Sequence, residues 1–387
     1  MQKRQAARRR ARRRAGSFVL VLVLLGGVGA VLSLRGSGGP APRVATVHHR
    51  TQQTLLLQLR GADGSAVTST LLAHDPATRT GAGVLLPPEV LETIPGSGSV
   101  TIATALRTVT PQDARNAVSD LLGITVDGHW VLDLLSFGRL VDRLGGVQAT
   151  VDVPVLAGQT VVLQPGAQRL DGTHAVALAT YLAAGEQEQS RLARVQQVLK
   201  GVLGALPAEA GQLATIVGTL GPGAAADVTP QAIAALLTGL RGDDQGQQLE
   251  FDLLPVIPID LGTGVQSFRI DAPGTRALVD RLLAASIPPG ARQTGNRVLV
   301  LNGVGTPGLG ARARARLVPA GFVYVGSRNA QHFGYPQTLV LVHDATTADQ
   351  AIGARVCAAL HVPVNVATAD LGNVADVVVI LGDDFPG

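Results

Sequence analysis

Ala15 to Leu34 runs for 20 residues without a charge, directly behind an opening, MQKRQAARRRARRRAG, that carries eight basic residues in sixteen. At about 1.5 Å of rise per residue, a helix of that length spans roughly 30 Å, the hydrocarbon thickness of a bilayer. Lys and Arg crowded on one flank assign that flank to the cytoplasm and the other side to the outside. The expectation is a single-pass anchor. Residues 1–16 form a basic cytoplasmic tail, 17–35 a transmembrane helix and 36–52 a flexible linker that includes GSGGPAPRVA. A cleaved signal peptide is the competing reading, but the apolar run is long for one and no clean small-x-small cleavage site follows it. Arg13-Arg14 stands at poor spacing for a twin-arginine signal. Gly26, Gly27 and Gly29 leave room for a second helix to approach. No other stretch of 18 apolar residues lacks charges or turn residues.

The tail also distorts the overall charge. Of the 32 basic residues, nine lie in the first 35, which hold no acid; 23 then face 28 acidic residues in the rest. A protein that is acidic outside its membrane address is a poor nucleic-acid binder. Hydrophobic residues at 46% and charged ones at 16% exclude a disordered chain. The single cysteine, Cys357, excludes an internal disulfide framework and a Cys-rich zinc site. His48-His49 alone makes a poor metal site.

Beyond the linker, strand-like and helix-like runs interleave. Thr110 is placed to cap a helix with Pro111 at its first position, Asp113 in the first turn and Gly123 as its stop. Ala114, Ala117, Val118, Leu121 and Leu122 supply the apolar face. ITVDGHWVLDL reads as a strand. Leu134, Phe137, Leu140, Val141 and Leu144 outline a second helix closed by Gly145-Gly146, and VQATVDVPV reads as a further strand. Helices are expected near 230–241 and 274–285, and a new strand, RVLVLNG, opens a last block after the breaker SIPPGARQTGN. The pattern predicts an α/β fold with a central mixed β-sheet sandwiched by helices, followed by a smaller C-terminal α/β domain.

Several of these segments, in order and spacing, carry a family resemblance. LLGITVDGHWVLDLLSFGRLVDRLGGVQATVDVPV resembles the core of the LytR-CpsA-Psr family of cell-envelope proteins; LQPGAQRLDGTHAVAL and SRLARVQQVL resemble its next signatures, and IPGSGSVTIATA sits at its Ile-Pro-Gly turn. The resemblance implies an LCP-like domain over 53–290. VLVLNGVGTPGLGARARARL, GFVYV, TLVLV and ADVVVILGDDF resemble the C-terminal domain often attached to these proteins, over 296–387. Two lysines against 30 arginines, with abundant Ala, Gly and Val, suit a high-GC genome such as an actinobacterial one. The family implies an outward-facing protein that holds a polyprenyl-pyrophosphate-linked glycopolymer, lipid in an apolar tunnel, and transfers it to peptidoglycan with Mg²⁺. Arginines hold the pyrophosphate and carboxylates the metal. An old label of transcriptional control does not suit an acidic domain outside the membrane.

At the positions that resemblance makes chemical, this sequence departs. The family's Arg-Ser-Asp-Thr segment reads Val67-Thr68-Ser69-Thr70, and its Pro-Arg-Asp reads Pro87-Pro88-Glu89. Its lysine is Thr101, and its Tyr-x-Arg-x-Arg-like segment reads Leu178-Ala179-Thr180-Tyr181-Leu182. Cations are thus absent at Val67, Pro88, Thr180 and Leu182, where loss of a single charge-stabilising donor costs about 3–4 kcal/mol of barrier. Arg191, Arg194 and Gln196 stay as a phosphate-binding remnant, and Ser69, Glu89 and Glu188 as a metal or acid remnant. On a helix, Leu192, Val195, Leu199 and Val202 form an apolar stripe along which Glu188 points, so a Glu188–Arg191 pair three apart is the plain alternative. Asp127, Asp133 and Asp142 read as scaffold, and His129 and Trp130 as core.

Gly303, Gly305 and Gly308 fit the dinucleotide fingerprint between a strand and a helix. Pro307 in the turn, no acid ending GFVYVGSRN, and a block too short for paired halves argue instead for a tight turn. Arg312, Arg314 and Arg316 read as a solvated face. No GxSxG motif follows a strand. The leading expectation is a membrane-anchored, non-catalytic member that binds polyprenyl-phosphate lipid or wall polymer, or assists active relatives. The alternative is an active, Mg²⁺-dependent phosphotransferase in which Arg60, Arg79 or Arg107 replaces the missing cations. An apolar tunnel is expected between sheet and helices, lined by the 112–122 and 190–203 helices.

Overall fold

The computed structural model describes residues 51–94, 98–260, 266–288, 295–373 and 375–386. The basic tail, the expected membrane helix, the linker up to residue 50, His48-His49 and residues 95–97 of the Ile-Pro-Gly turn lie outside the described residues. Among the described residues no helix is long and apolar enough to cross a membrane.

The first sheet contains β1 (Gln53–Arg60), β2 (Ala66–Asp75), β3 (Thr80–Leu86), β4 (Gly128–Asp133), β5 (Ala224–Ala226) and β6 (Leu249–Leu253), in the spatial order β5-β4-β1-β2-β3-β6. β1 runs parallel to β4 and β3 parallel to β6, while β2 is antiparallel to both of its neighbours, so the sheet is mixed. The helices of this part are α1 (Ile102–Thr108), α2 (Pro111–Leu122), α3 (Leu134–Arg143), α4 (Gly172–Thr180), α5 (Glu188–Ala205), α6 (Ala210–Gly218), α7 (Pro230–Gln245) and α8 (Ala272–Leu282).

Strand alternation decides which helices cover which face. Leu55, Leu57 and Leu59 of β1 point into a core shared with α3 to α7. Leu56, between them, points into a second core with Leu71, Val84, α2 and α8. The expected sandwich of helices around a central mixed sheet is present. The expected tunnel wall is corrected by the same alternation, because α2 and α5 lie on opposite faces of the sheet and cannot line one channel. Between β1, β2 and α5, the space lined by Leu57, Leu59, Thr68, Phe137 and Val198 is a cavity of about 10 Å³, room for roughly one water. A separate apolar cavity of about 180 Å³, beside Leu55, Ile233 and Leu236, falls short of the roughly 300–1,000 Å³ of ligand pockets.

Local signals explain the element ends. The Thr110 hydroxyl accepts from the Asp113 amide at 3.2 Å, and Gly123 takes the left-handed conformation, φ 71°, that ends α2. Asp133 caps α3 by accepting from Ser136 N at 2.7 Å, Asp142 accepts from Gly172 N at 2.7 Å, and Asp127 accepts from Thr54 N at 2.9 Å; all three are scaffold. The strand expected over ITVDGHWVLDL is confined to β4. The strand expected over VQATVDVPV is broken: Val147–Val151 pairs with Gly166–Leu170, and Val155–Ala157 pairs with Thr160–Leu163. Pro154 has no N–H to continue a ladder, and Asp152 is drawn to an arginine of α5.

The second sheet contains β7 (Arg297–Asn302), β8 (Val323–Asn329), β9 (Leu339–Val342), β10 (Val366–Thr368) and β11 (Val377–Leu381), ordered β8-β7-β11-β9-β10. α9 (Leu309–Leu317) and α10 (Thr347–Leu360) cover one face. The Gly303–Gly308 turn is closed by Asn302, whose Oδ1 accepts from Gly305 N at 2.9 Å and whose Nδ2 donates to Thr306 O at 2.9 Å. The solvated face expected for Arg312, Arg314 and Arg316 is corrected. Arg316 donates to Leu360 O at 2.7 Å and lies 4.8 Å from the Phe385 ring centre, Arg312 is half-buried, and Arg314 alone is exposed. The helix is short, and its apolar residues cannot cover the sheet without the arginine stems.

The uncovered face of the second sheet meets α2. Arg328 of β8 donates to both oxygens of Asp120, and Asn373 N donates to Asp120 O at 3.0 Å. Glu92 (2% exposed), in the short strand Leu91–Ile94, lies nearby, and among the described residues neither of its carboxylate oxygens has a partner.

Candidate functional site

The first turns of α5 present the charged residues that the sequence singles out. Glu188 opens the helix; Arg191 and Arg194 follow at successive spacings of three and are 5% and 2% exposed. An arginine so deeply buried requires a carboxylate or other acceptors to offset its desolvation.

Arg194 has two carboxylates. Its Nε donates to Asp152 Oδ1 and its Nη2 to Asp152 Oδ2, both at 2.8 Å. Nη1 donates to Glu186 Oε2 at 2.7 Å and Nη2 to Glu186 Oε1 at 2.6 Å. Nη1 also donates to Tyr181 O at 3.0 Å, and the guanidinium lies 5.4 Å from the Tyr181 ring centre. The hydrogen bonds from Arg194 hold the carboxyls of Asp152 and Glu186 below their ordinary range, and Glu186 and then Asp152 push the guanidinium up. Every N–H edge of this side chain faces a partner within the chain.

Arg191 donates from Nε to Glu188 Oε2 at 3.1 Å and from Nη2 to Glu188 Oε1. The intrahelical pair is therefore formed. Among the described residues its Nη1 is buried without a partner, as is Glu89 Oε2 in the loop after β3. Burial, then the charge of Glu188, raise the Glu89 carboxyl above its ordinary range, while Arg191 works against that rise. Glu89, Glu188 and Arg191 thus share one electrostatic neighbourhood, one helical turn from the Arg194 cluster.

The other expected residues lie apart. Ser69, in β2, is fully buried and accepts from Gln58 Nε2 at 2.8 Å. The Gln58 oxygen stands 2.7 Å from His129 Nε2, and His129 Nδ1 stands 3.0 Å from Pro111 O. Burial lowers the His129 pKa, and this chain of bonds fixes the core between β1, β2, β4 and α2. Gln196 is half-buried on α5. Thr180 donates to Val176 O at 2.8 Å, and Leu182 is exposed. Arg79 sits in the β2–β3 turn, at the opposite end of the sheet from Glu89, while Arg60 ends β1 beside Asp133. Asp152 and Glu186 were not singled out in the sequence; a lone acid in the apolar run VQATVDVPV was the available signal.

Glu89 Oε2 has no hydrogen-bond partner among the described residues, and the oxygens of Glu188 are held by Arg191. Among the described residues no three His, Cys, Asp or Glu side chains converge as metal ligands. The donor set does not fit a Mg²⁺ ion.

A mixed sheet between helix layers, a charged cluster at the start of one covering helix and a second small α/β domain define the class to which this chain is similar. The family profile for LytR-CpsA-Psr matches residues 68–275, and that described as LytR cell envelope-related transcriptional attenuator matches residues 296–385. The chain belongs to the LytR-CpsA-Psr family, a cell-envelope family tied to cell-wall glycopolymers. Solved structures share the fold at low identity. TagV of B. subtilis has a TM-score of 0.53 at 15% identity, over 61% of this chain and 98% of that one. A protein from Streptococcus agalactiae has a TM-score of 0.53 at 17% identity, over 61% and 88%. TagT bound to LIIa-WTA has a TM-score of 0.52 at 19% identity, over 65% and 98%. No curated protein matches the sequence.

Proposed function

We propose that this protein is a non-catalytic member of its family, anchored by residues 17–35 with domains over 53–290 and 296–387 outside the membrane, that binds wall glycopolymer and supports active relatives. One observation carries the reading: the buried arginines left at the site are neutralised by this chain's own carboxylates, Arg191 by Glu188 and Arg194 by Asp152 and Glu186. Two guanidinium charges face four carboxyls when Glu89 is counted. A pyrophosphate needs a surplus of fixed positive charge, and each missing donor costs about 3–4 kcal/mol of barrier. Val67, Pro88, Thr180 and Leu182 supply none. The fold shared with TagT bound to LIIa-WTA supports polymer, rather than nucleic acid, as the ligand class. A lipid-holding role draws less support, since the space under α5 is about 10 Å³.

The test incubates the full chain with a short prenyl pyrophosphate, with and without Mg²⁺, and follows phosphate release. No release is expected in either condition. Mg²⁺-dependent release that Glu89→Gln abolishes would instead establish the active phosphotransferase, working through the free edges of Glu89 and Arg191.

A further inference from the structure

The Val147–Val151 and Gly166–Leu170 strands form a ribbon that buries one face and exposes the other. Its register pairs Thr150 with Ala167 and Gln148 with Arg169, and all four residues are on the exposed face. Gln197, Lys200 and Gly204 of α5 stand across from them, at spacings of three and four along one helical stripe. Gly201 brings the two walls together at the base: a Cβ there would collide with the Gln148 carbonyl oxygen. The resulting groove has a volume of about 520 Å³, within the roughly 300–1,000 Å³ typical of ligand sites.

Its lining carries positive charge only. No carboxylate lines it. Arg169 Nε donates to the neutral Gly145 carbonyl at 2.9 Å, and Lys200 Nζ lies 5.7 Å from the Phe251 ring centre. Neither contact cancels a charge, and among the described residues neither side chain has an acidic partner. The arginines at the head of the same helix, by contrast, are fully offset. Gln148, Gln197 and Thr150 add groups that both donate and accept, the pattern that matches a sugar hydroxyl.

We propose that this groove is the contact site for a hydroxyl-rich polyanion: a segment of glycopolymer bearing phosphate or carboxylate groups. The inference rests on the polymer-binding reading above and gives it a location. Cations with no acidic partner in the free protein break no ion pair on binding, and the amides select for sugar over a bare anion.

The experiment measures binding of full chain in detergent to polygalacturonate oligomers, phosphorylated dextran, neutral dextran of equal length and phosphatidylglycerol vesicles. Preference for the two anionic glycans is expected, weakening as salt rises. Arg169→Gln with Lys200→Gln should weaken it about two- to thirtyfold, the yield of two solvent-accessible charge contacts. Arg169→Lys with Lys200→Arg should retain it. Gly204→Glu puts an acid into open space, since no atom lies within 4 Å of its Cβ position, and should abolish binding without loss of helix. Wild-type binding that none of these variants alters would overturn the groove and leave the polymer-binding reading standing. No binding of either anionic glycan by the wild type would overturn both. Binding of vesicles in preference to glycans, lost in the double variant, would make the ligand a lipid headgroup and overturn the proposal.

Discussion

Arg194 and Asp152 meet in a two-pronged pair, Nε to Oδ1 and Nη2 to Oδ2, each at 2.8 Å. The pair ties the segment that follows the Val147–Val151 strand to α5, and Glu186 closes the other side of the guanidinium. Arg194→Ala would leave Asp152 and Glu186 facing each other with no cation between them. The expected loss is about 2–4 kcal/mol, less than for a wholly buried pair because Asp152 is half exposed. Arg194→Lys should recover little, since an ammonium cannot fork to two carboxylates. Urea unfolding of the three proteins gives the order directly. Both acids have folded pKa values below their unfolded ones, so this stability is present above the unfolded carboxylate range and is lost as pH falls through the folded values. Arg194→Ala should flatten that acid limb.

Glu92 has the opposite sign. Burial, then the charge of Asp120, raise its carboxyl well above the ordinary value of 4.5. The folded state therefore keeps a proton that the unfolded chain releases, and stability falls as pH rises from 4.5 until the buried group ionises too. Glu92→Gln should leave the melting temperature unchanged near pH 4 and raise it at pH 8. A variant less stable at pH 8 would mean that the carboxylate has a partner.

Gly201 sits in the interior of α5, where alanine ordinarily gains about 1 kcal/mol of helix propensity. Here the Cβ would press on the Gln148 carbonyl and stand 3.1 Å from Val147 Cβ. Gly201→Ala is expected to destabilise by about 1–3 kcal/mol despite the propensity gain. Gly204→Ala, three residues on and facing open space, should stabilise, and thermal melts of the two variants test the contrast.

Arg328→Ala would leave Asp120 buried with its main compensating charge gone. Loss of about 1–3 kcal/mol is expected, together with faster amide exchange at the end of β8 and the end of α2. Exchange that changes in β8 alone would show that the contact does not hold the two sheets together.

The helices with caps were legible in the sequence, and α2 is the clearest case. Thr110, Pro111 and Gly123 are local signals, and local signals survive folding. The break in VQATVDVPV was harder to read, because it depends on Asp152 finding an arginine 42 positions away. The tunnel expectation failed for a related reason. Sequence gives a helix its apolar stripe but not the face of the sheet against which that stripe packs, and α2 and α5 fall on opposite faces. At the site, Glu188–Arg191 was readable as a spacing of three. The neutralisation of Arg194 was not, since Asp152 and Glu186 belong to different segments.

β1 is an interior strand, bonded along its length to β2 on one side and β4 on the other. Just before it, Gln52 donates to Leu282 O at 2.8 Å and accepts from Ser286 Oγ at 2.7 Å. Tension on the chain ahead of Thr51 consequently enters at the middle of the sheet. It must shear two ladders together and cannot unzip an edge one bond at a time. For a chain pulled at that end, the working measure of robustness is a rupture rate under load rather than an equilibrium free energy.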